Sequence, residues 1–296
     1  KFGVEQRGVL YEKGDHPDVL VMTATPIPRT LAMTVYGDLD TSILDELPAG
    51  RKEVVTKVIK QEQLNDAYDY IRKQVAKGRQ AYLVYPLVSE SDALELRSAE
   101  EMFAQLSQSV FKSIRVGLLH GQLNAAEKSR VMNQFKQGEL DVLVATTVVE
   151  VGVDVPNANI MLIENAERFG LAQLHQLRGR IGRGEHKSYC ILQGEPKSKD
   201  SWQRLKVMSR TRDGFKIAEE DLEIRGMGNL LGREQSGVPR LRLGNLIGDG
   251  PILHAAREEA FRIVSEDREL KDPKYERLKR RARALYRELG SLLQVG

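Results

Sequence analysis

The densest chemistry in the chain lies in Gln176-Leu177-Arg178-Gly179-Arg180-Ile181-Gly182-Arg183-Gly184. Guanidinium groups suit the negative charge that builds on the oxygens of a transferring γ-phosphoryl group. Arg180 and Arg183 are three apart, so a helix running through them would place both on one face, in reach of one phosphate. The glycines between them permit close backbone approach. Taken alone, a basic surface turn would explain the same residues. A second group weighs against that. Ala145-Thr146-Thr147 ends an apolar run and leads into Val151-Gly152-Val153-Asp154-Val155-Pro156. Hydroxyls and backbone N–H groups at the carboxyl end of a strand suit phosphate contacts. Asp154 is a carboxylate in an apolar stretch and needs a partner. A helix cap would account for Thr146 and Thr147, but not for Gly152 and Asp154.

Those residues need a scaffold, and the hydrophobic pattern supplies one. Short apolar runs at Val54–Ile59, Ala81–Tyr85, Arg115–Leu119, Asp141–Ala145, Ile160–Ile163 and Tyr189–Leu192 read as strands. Amphipathic stretches at Gln61–Ala76, Ala93–Leu106, Ala125–Lys136 and Leu171–Arg178 read as helices between them. Asn124 caps the third helix with Glu127 at the capping-box position, and Gly78 and Gly138 stand where helices should stop. The alternation predicts an α/β fold with a mostly parallel sheet and helices on both faces. A further short buried strand is expected at Val19–Met22, and Asp45–Arg51 reads as a linker. After Pro196 the pattern turns helical, with helices at Lys199–Arg212, Phe215–Ile224, Ile252–Glu266 and Tyr275–Leu293, and a glycine-rich stretch at Arg225–Gly250. Trp202, the single tryptophan, is expected in the core.

The 296 residues suffice for roughly two domains, with 29% charged and 41% hydrophobic residues. The net charge is only +3, but Lys271–Gly296 holds eight Lys or Arg against three Asp or Glu, and Lys197–Asp213 six against two. Basic charge concentrated in the last third suits a polyanion, although two solvated helix faces would look the same. The lone Cys190 excludes an internal disulfide and, within an apolar run, reads as a buried structural thiol. The five histidines show no metal-ligand spacing. No apolar run approaches the ~20 residues that span a bilayer, and no signal peptide is present, so a cytoplasmic protein without membrane contact is expected. The chain begins at Lys1 without an initiator methionine, as a piece of a longer protein would.

Thr23-Ala24-Thr25, His120-Gly121, Thr146–Asp154 and Gln176–Arg183 resemble motifs III, IVa, V and VI of superfamily 2 helicases, in order. Asp221–Gly228 with Gly232–Gly237 resembles the translocation motif shared by the RecG family and the transcription-repair coupling factors. The continuation Val238–Ala256 is most similar to the RecG family. The likeness covers nearly the whole chain. It implies a RecA-like lobe at 48–196, preceded at 1–47 by the tail of motor lobe one. A translocation hairpin and loop would follow at 197–250, then C-terminal helices at 251–296. It implies that Arg180 and Arg183 contact the γ-phosphate across an interlobe cleft and that Gln176 positions them. Gly152 and Asp154 would meet the nucleotide ribose or the arginine motif. Thr146 would touch the DNA backbone, and His120 would stand on the same DNA-binding and coupling side. Thr23 and Thr25 would connect the ATP site to DNA, and Arg225 and Gln235 would belong to the loop that turns hydrolysis into movement, braced by the basic helix Lys199–Arg212.

The activity implied for the full-length protein is ATP-dependent DNA helicase and ATP hydrolase, remodelling stalled forks and recombination junctions in DNA repair. ATP and Mg2+ would be held mainly by lobe one. The implied partners are duplex or branched DNA, lobe one and the wedge domain of the same protein, and a single-stranded DNA-binding protein, with the protein a monomer. The sequence departs from the whole family pattern in two respects. It contains no Gly-x-x-x-x-Gly-Lys-[Ser/Thr] loop and no Asp-Glu-x-His box, so the 296 residues alone are expected to be inactive. A coupling factor that displaces RNA polymerase shares the Arg225–Gln235 motif, and a non-catalytic DNA- or protein-binding adaptor is the alternative from another class.

Overall fold

The computed structural model describes residues 52–86, 92–146, 154–225 and 249–293, with Leu20, Met22, Ser42, Leu44 and Glu46. Its centre is a six-stranded sheet of β1 (Val54–Ile59), β2 (Gln80–Val84), β3 (Val116–Leu119), β4 (Val142–Ala145), β5 (Ala158–Ile163) and β6 (Ser188–Gln193). The strand order is β1-β6-β5-β2-β4-β3, and every pairing is parallel. The six strands expected between Val54 and Leu192 are all present within two residues at each end. Helices occupy both faces, as the fold class requires.

Alternation along each strand decides which cluster a residue enters. On β5, Met161 and Ile163 join Tyr82, Phe135, Leu174, Leu205 and Ile217 on one face. Ile160 and Leu162 join Leu83, Tyr68, Ile71 and Phe111 on the other. The first face is covered by α3 (Ala125–Lys136), α4 (Leu171–Arg178), α5 (Lys199–Arg210) and α6 (Gly214–Arg225); the second is covered by α1 (Leu64–Val75) and α2 (Asp92–Gln105). Asn124 caps α3 as expected: Glu127 N–H donates to Asn124 Oδ1 at 2.9 Å, and Asn124 N–H donates back to Glu127 Oε2 at 3.1 Å.

Polar clamps close the amino end of the sheet. Arg115 grips Asp141 in a bidentate pair, Nε to Oδ2 at 3.0 Å and Nη2 to Oδ1 at 2.6 Å, tying the starts of β3 and β4. Gln80, buried at the start of β2, donates to the Leu140 carbonyl at 2.7 Å and accepts from Asn157 Nδ2 at 3.2 Å. Cys190 is buried as expected, and burial pushes its thiol up to about 12.

Two expectations fail. Trp202 is 53% exposed rather than in the core, because α5 buries the stripe Ser201, Leu205 and Met208, and position 202 is turned about 100° away from Ser201. Leu20 and Met22 are exposed and outside any strand, and the sheet pairs its six strands without them. Beyond the sheet, α7 (Gly250–Glu266) and α8 (Glu276–Leu293) are joined through a cap in which Lys274 N–H donates to Asp272 Oδ1 at 3.0 Å. No described helix is long and apolar enough to cross a membrane.

Phe135 is fully buried and packs its ring against Tyr82, 4.9 Å between centroids. Phe135→Ala should therefore destabilise the chain by about 3–5 kcal/mol, read as a lowered urea midpoint at unchanged slope.

Candidate functional site

The proposed site residues divide between the two ends of the sheet. At the carboxyl end, His120 follows β3 and Thr146 follows β4. They are 8% and 5% exposed, and Thr146 N–H donates to the Leu119 carbonyl at 3.2 Å. Among the described residues, neither His120 Nδ1 nor Thr146 Oγ1, both buried, has a hydrogen-bond partner. A buried polar atom left unpaired costs about 1–3 kcal/mol. Burial holds the His120 imidazole below its ordinary pKa, against the charges of Glu100 and Glu127.

The arginines lie at the other end. Helix α4 begins at Gly170 near the carboxyl edge and runs antiparallel to the strands, driven into the core by Leu171, Leu174 and Leu177. Eight residues at 1.5 Å each carry the chain about 12 Å toward the amino edge. There it stops. Gly182 has φ +78°, and a Cβ would lie 2.6 Å from Val54 Cγ2, so a glycine lets the chain turn against the start of β1. Arg180 and Arg183 thus stand on a turn rather than sharing a helix face. They still converge: Arg183 Nη1 is 3.4 Å from Asp154 Oδ1, and Arg183 Nε donates to the Gly179 carbonyl at 3.2 Å. The buried Tyr82 hydroxyl lies in the fields of Arg180, Arg183 and Asp154 together, while burial raises its pKa. Asp154 precedes β5 by four residues, so it too belongs to the amino end. The described residues thus place His120 and Thr146 at one edge of the sheet and Arg183 with Asp154 at the other. Gln176 is half-buried on α4, one turn before Arg180.

Arg178 is different from its neighbours. It is 4% exposed; its Nη1 donates to the carbonyls of Met208 and Thr211, both at 2.9 Å, and its Nη2 lies 3.2 Å from His175 Nδ1. Those carbonyls end α5, so Arg178 welds the arginine segment to the turn of the α5–α6 hairpin. Its place in the stripe with Leu171 and Leu174 is the sequence signal that it points inward.

A second buried group carries no motif. Glu164, 7% exposed at the end of β5, accepts hydrogen bonds at Oε1 from the hydroxyls of Tyr68 and Tyr85, the latter at 2.6 Å. Burial pushes its carboxyl above the usual range against those two bonds. A carboxylate closing the apolar run Ile160–Ile163 is the signal that finds it.

Thr23, Thr25, Gly152 and Gln235 lie outside the described residues, and of Arg225 only the backbone, at the end of α6, is described.

Residues 60–185 match the helicase conserved C-terminal domain, and residues 211–289 match domain 3, C-terminal, of the ATP-dependent DNA helicase RecG. The chain is 50% identical over 275 residues to the ATP-dependent DNA helicase RecG of Bacillus subtilis, covering 93% of this chain and 40% of that protein. It is 49% identical over 270 residues to RecG of Thermotoga maritima, covering 91% of this chain and 35% of the relative. The chain thus spans about two fifths or less of the length of these curated relatives. A solved structure of RecG bound to a three-way DNA junction is similar with a TM-score of 0.65 and 48% identity, covering 81% of this chain and 31% of that one.

Glu164 also generates a pH prediction. Its raised folded pKa means that the unfolded chain releases this proton first, so its stabilising share is complete below the unfolded value of 4.5 and is lost as pH rises through the folded pKa. Glu164→Gln keeps an acceptor for both tyrosines and does not ionise. Its melting temperature relative to the parent chain should therefore climb as pH rises above the unfolded value of 4.5 and level off once the folded carboxyl has ionised. A flat difference across that range would refute a buried, proton-retaining carboxyl.

Proposed function

The chain belongs to the RecG family, as its C-terminal portion, and from that premise we propose that it is the second motor lobe and translocation hairpin of a branched-DNA helicase. One observation carries this reading: the Arg180–Arg183–Asp154 cluster and the His120–Thr146 pair occupy opposite edges of one rigid sheet. The first supplies cationic donors for a nucleotide's phosphates, and the second stands at the strand ends on the side assigned to a nucleic-acid backbone. Arg178 adds the physical link from the arginine turn to the hairpin, through the Met208 and Thr211 carbonyls.

In this reading Arg180 and Arg183 approach the γ-phosphate from across a cleft. Such a guanidinium raises turnover by about 10³–10⁵ in related phosphoryl transfers. Asp154 orients Arg183 until nucleotide arrives. In this reading Mg2+ would be held mainly by residues of lobe one, beside the nucleotide's phosphates. The divisions 1–47, 48–196, 197–250 and 251–296 then correspond to the tail of lobe one, lobe two, the translocation hairpin with its loop, and the closing helices. The substrate is branched DNA, as with the related junction-bound structure. Phosphate contacts dominate, so binding is independent of base sequence and weakens steeply with salt.

The 296 residues alone should show no DNA-stimulated ATP hydrolysis, and measurable turnover by the purified chain would sink the two-lobe reading. In a protein of the relatives' full length, Arg183→Ala should reduce hydrolysis by about 10³-fold or more. Gln235→Ala should leave hydrolysis and stop unwinding of a three-way junction. Loss of both activities in both variants would remove the separation of roles.

A further inference from the structure

The unexplained feature of the fold is the carboxylate at Glu164. Positions 160 and 162, which share its strand face, are a fully buried Ile and Leu, and the alternation asks for an apolar side chain at 164. A carboxylate there must be stripped of water, and a hydrophobe of similar volume is commonly as stable or more so. Stability therefore gives no reason for Glu164.

Its contacts suggest one. Thr146, on the DNA-facing edge, directly follows Ala145. The Ala145 carbonyl accepts the Tyr85 N–H at 2.9 Å, and the Tyr85 hydroxyl donates to Glu164 Oε1 at 2.6 Å. Glu164 N–H donates in turn to the Val84 carbonyl at 2.9 Å, so the exits of β4, β2 and β5 are locked side by side. Tyr68 fixes the same carboxylate oxygen from α1. The next residue, Asn165, adopts a left-handed backbone with φ 49°, which asparagine tolerates better than most residues and which gains from outside support. That support comes from Gln193, whose Oε1 accepts the Asn165 N–H at 3.0 Å while its Nε2 donates to Gln61 Oε1 at 2.8 Å. From this pinned corner the chain makes one turn at Ala166–Arg168 and enters α4, the helix that delivers Arg180 and Arg183.

We infer that Glu164, clamped by Tyr68 and Tyr85, is a positioning residue that carries DNA contact at the carboxyl edge to the arginine helix, and so sets how strongly DNA stimulates ATP hydrolysis. The inference rests on the preceding assignment of Thr146 to DNA and of Arg180 and Arg183 to ATP. The physical element is short and stiff: three paired strand ends, one carboxylate shared by two hydroxyls, and a helix of two turns. Moving the end of β4 moves Tyr85, and Tyr85 cannot move without Glu164.

The test uses the protein at the relatives' full length, with ATP and a three-way DNA junction as probes. Basal and DNA-stimulated hydrolysis, junction affinity and melting temperature are measured for Glu164→Leu, Glu164→Gln, Tyr85→Phe and Arg183→Ala. Glu164→Leu should cut the stimulated rate on the order of ten-fold while basal hydrolysis and junction affinity stay within about two-fold. Glu164→Gln, which still accepts both tyrosine hydroxyls, should restore most of the stimulation. Tyr85→Phe should lose several-fold, and it carries the test if Glu164→Leu does not fold. Normal stimulation in a folded Glu164→Leu or Tyr85→Phe protein overturns the inference. So do equal losses in basal and stimulated rates, or a Glu164→Gln protein as impaired as Glu164→Leu. The Arg183→Ala arm separates the two readings. If it hydrolyses ATP normally, the assignment of the arginines fails; if it is dead while Glu164→Leu is normal, only the role of Glu164 falls.

Discussion

Every strand in the sheet runs the same way, and the rest of the molecule follows from that constraint. A parallel sheet must return its chain across one face between strands, so both faces are covered and both are apolar. It also gathers all carboxyl ends at one edge and all amino ends at the other. Any polar chemistry is thereby driven to the two rims. The amino rim holds the Arg115–Asp141 and Gln80–Asn157 clamps together with the arginine turn and Asp154. The carboxyl rim holds His120, Thr146, Tyr85 and Glu164. A motor lobe that answers to nucleotide at one place and nucleic acid at another suits such a two-rimmed body.

What joins the rims is a small number of buried polar groups. Burial lowers the pKa of the Arg178 guanidinium, yet the group stays in hydrogen-bonded contact with the end of α5. Glu164 is the acidic counterpart on the opposite face. Neither is paired with an opposite charge in the contacts described above, and both spend their hydrogen bonds on neutral partners from different elements. Buried polar groups of this kind favour one arrangement over its near neighbours more than they favour folding itself. Fixing the relative placement of elements is the property they supply.

The arginines illustrate how a correct motif can carry an incorrect geometry. Their spacing of three is compatible with a shared helix face, but the helix ends at Arg178, capped by Gly179, before it reaches either of them. Convergence is achieved instead by the turn and by Asp154, which arrives from a segment some 26 positions upstream of Arg180. Trp202 makes the complementary point. A large aromatic on an amphipathic helix is ordinarily core, yet α5 buries the stripe beside it and leaves the indole in solvent.

Strand and helix positions were legible in the residues because apolar periodicity and capping act over a few neighbours. The sequence by itself also determined the parallel fold, since buried strands alternating with amphipathic helices admit little else. Only the tertiary structure decided which rim each group occupies, because that depends on the direction of α4 relative to strands distant in the chain. It alone brought Tyr68, Tyr85 and Glu164 together, for they are separated by up to 96 positions and share no motif. The opening arginine segment was readable as chemistry from its residue types. Its partner, its orientation and its connection to the other rim are products of long-range packing, which no local pattern encodes.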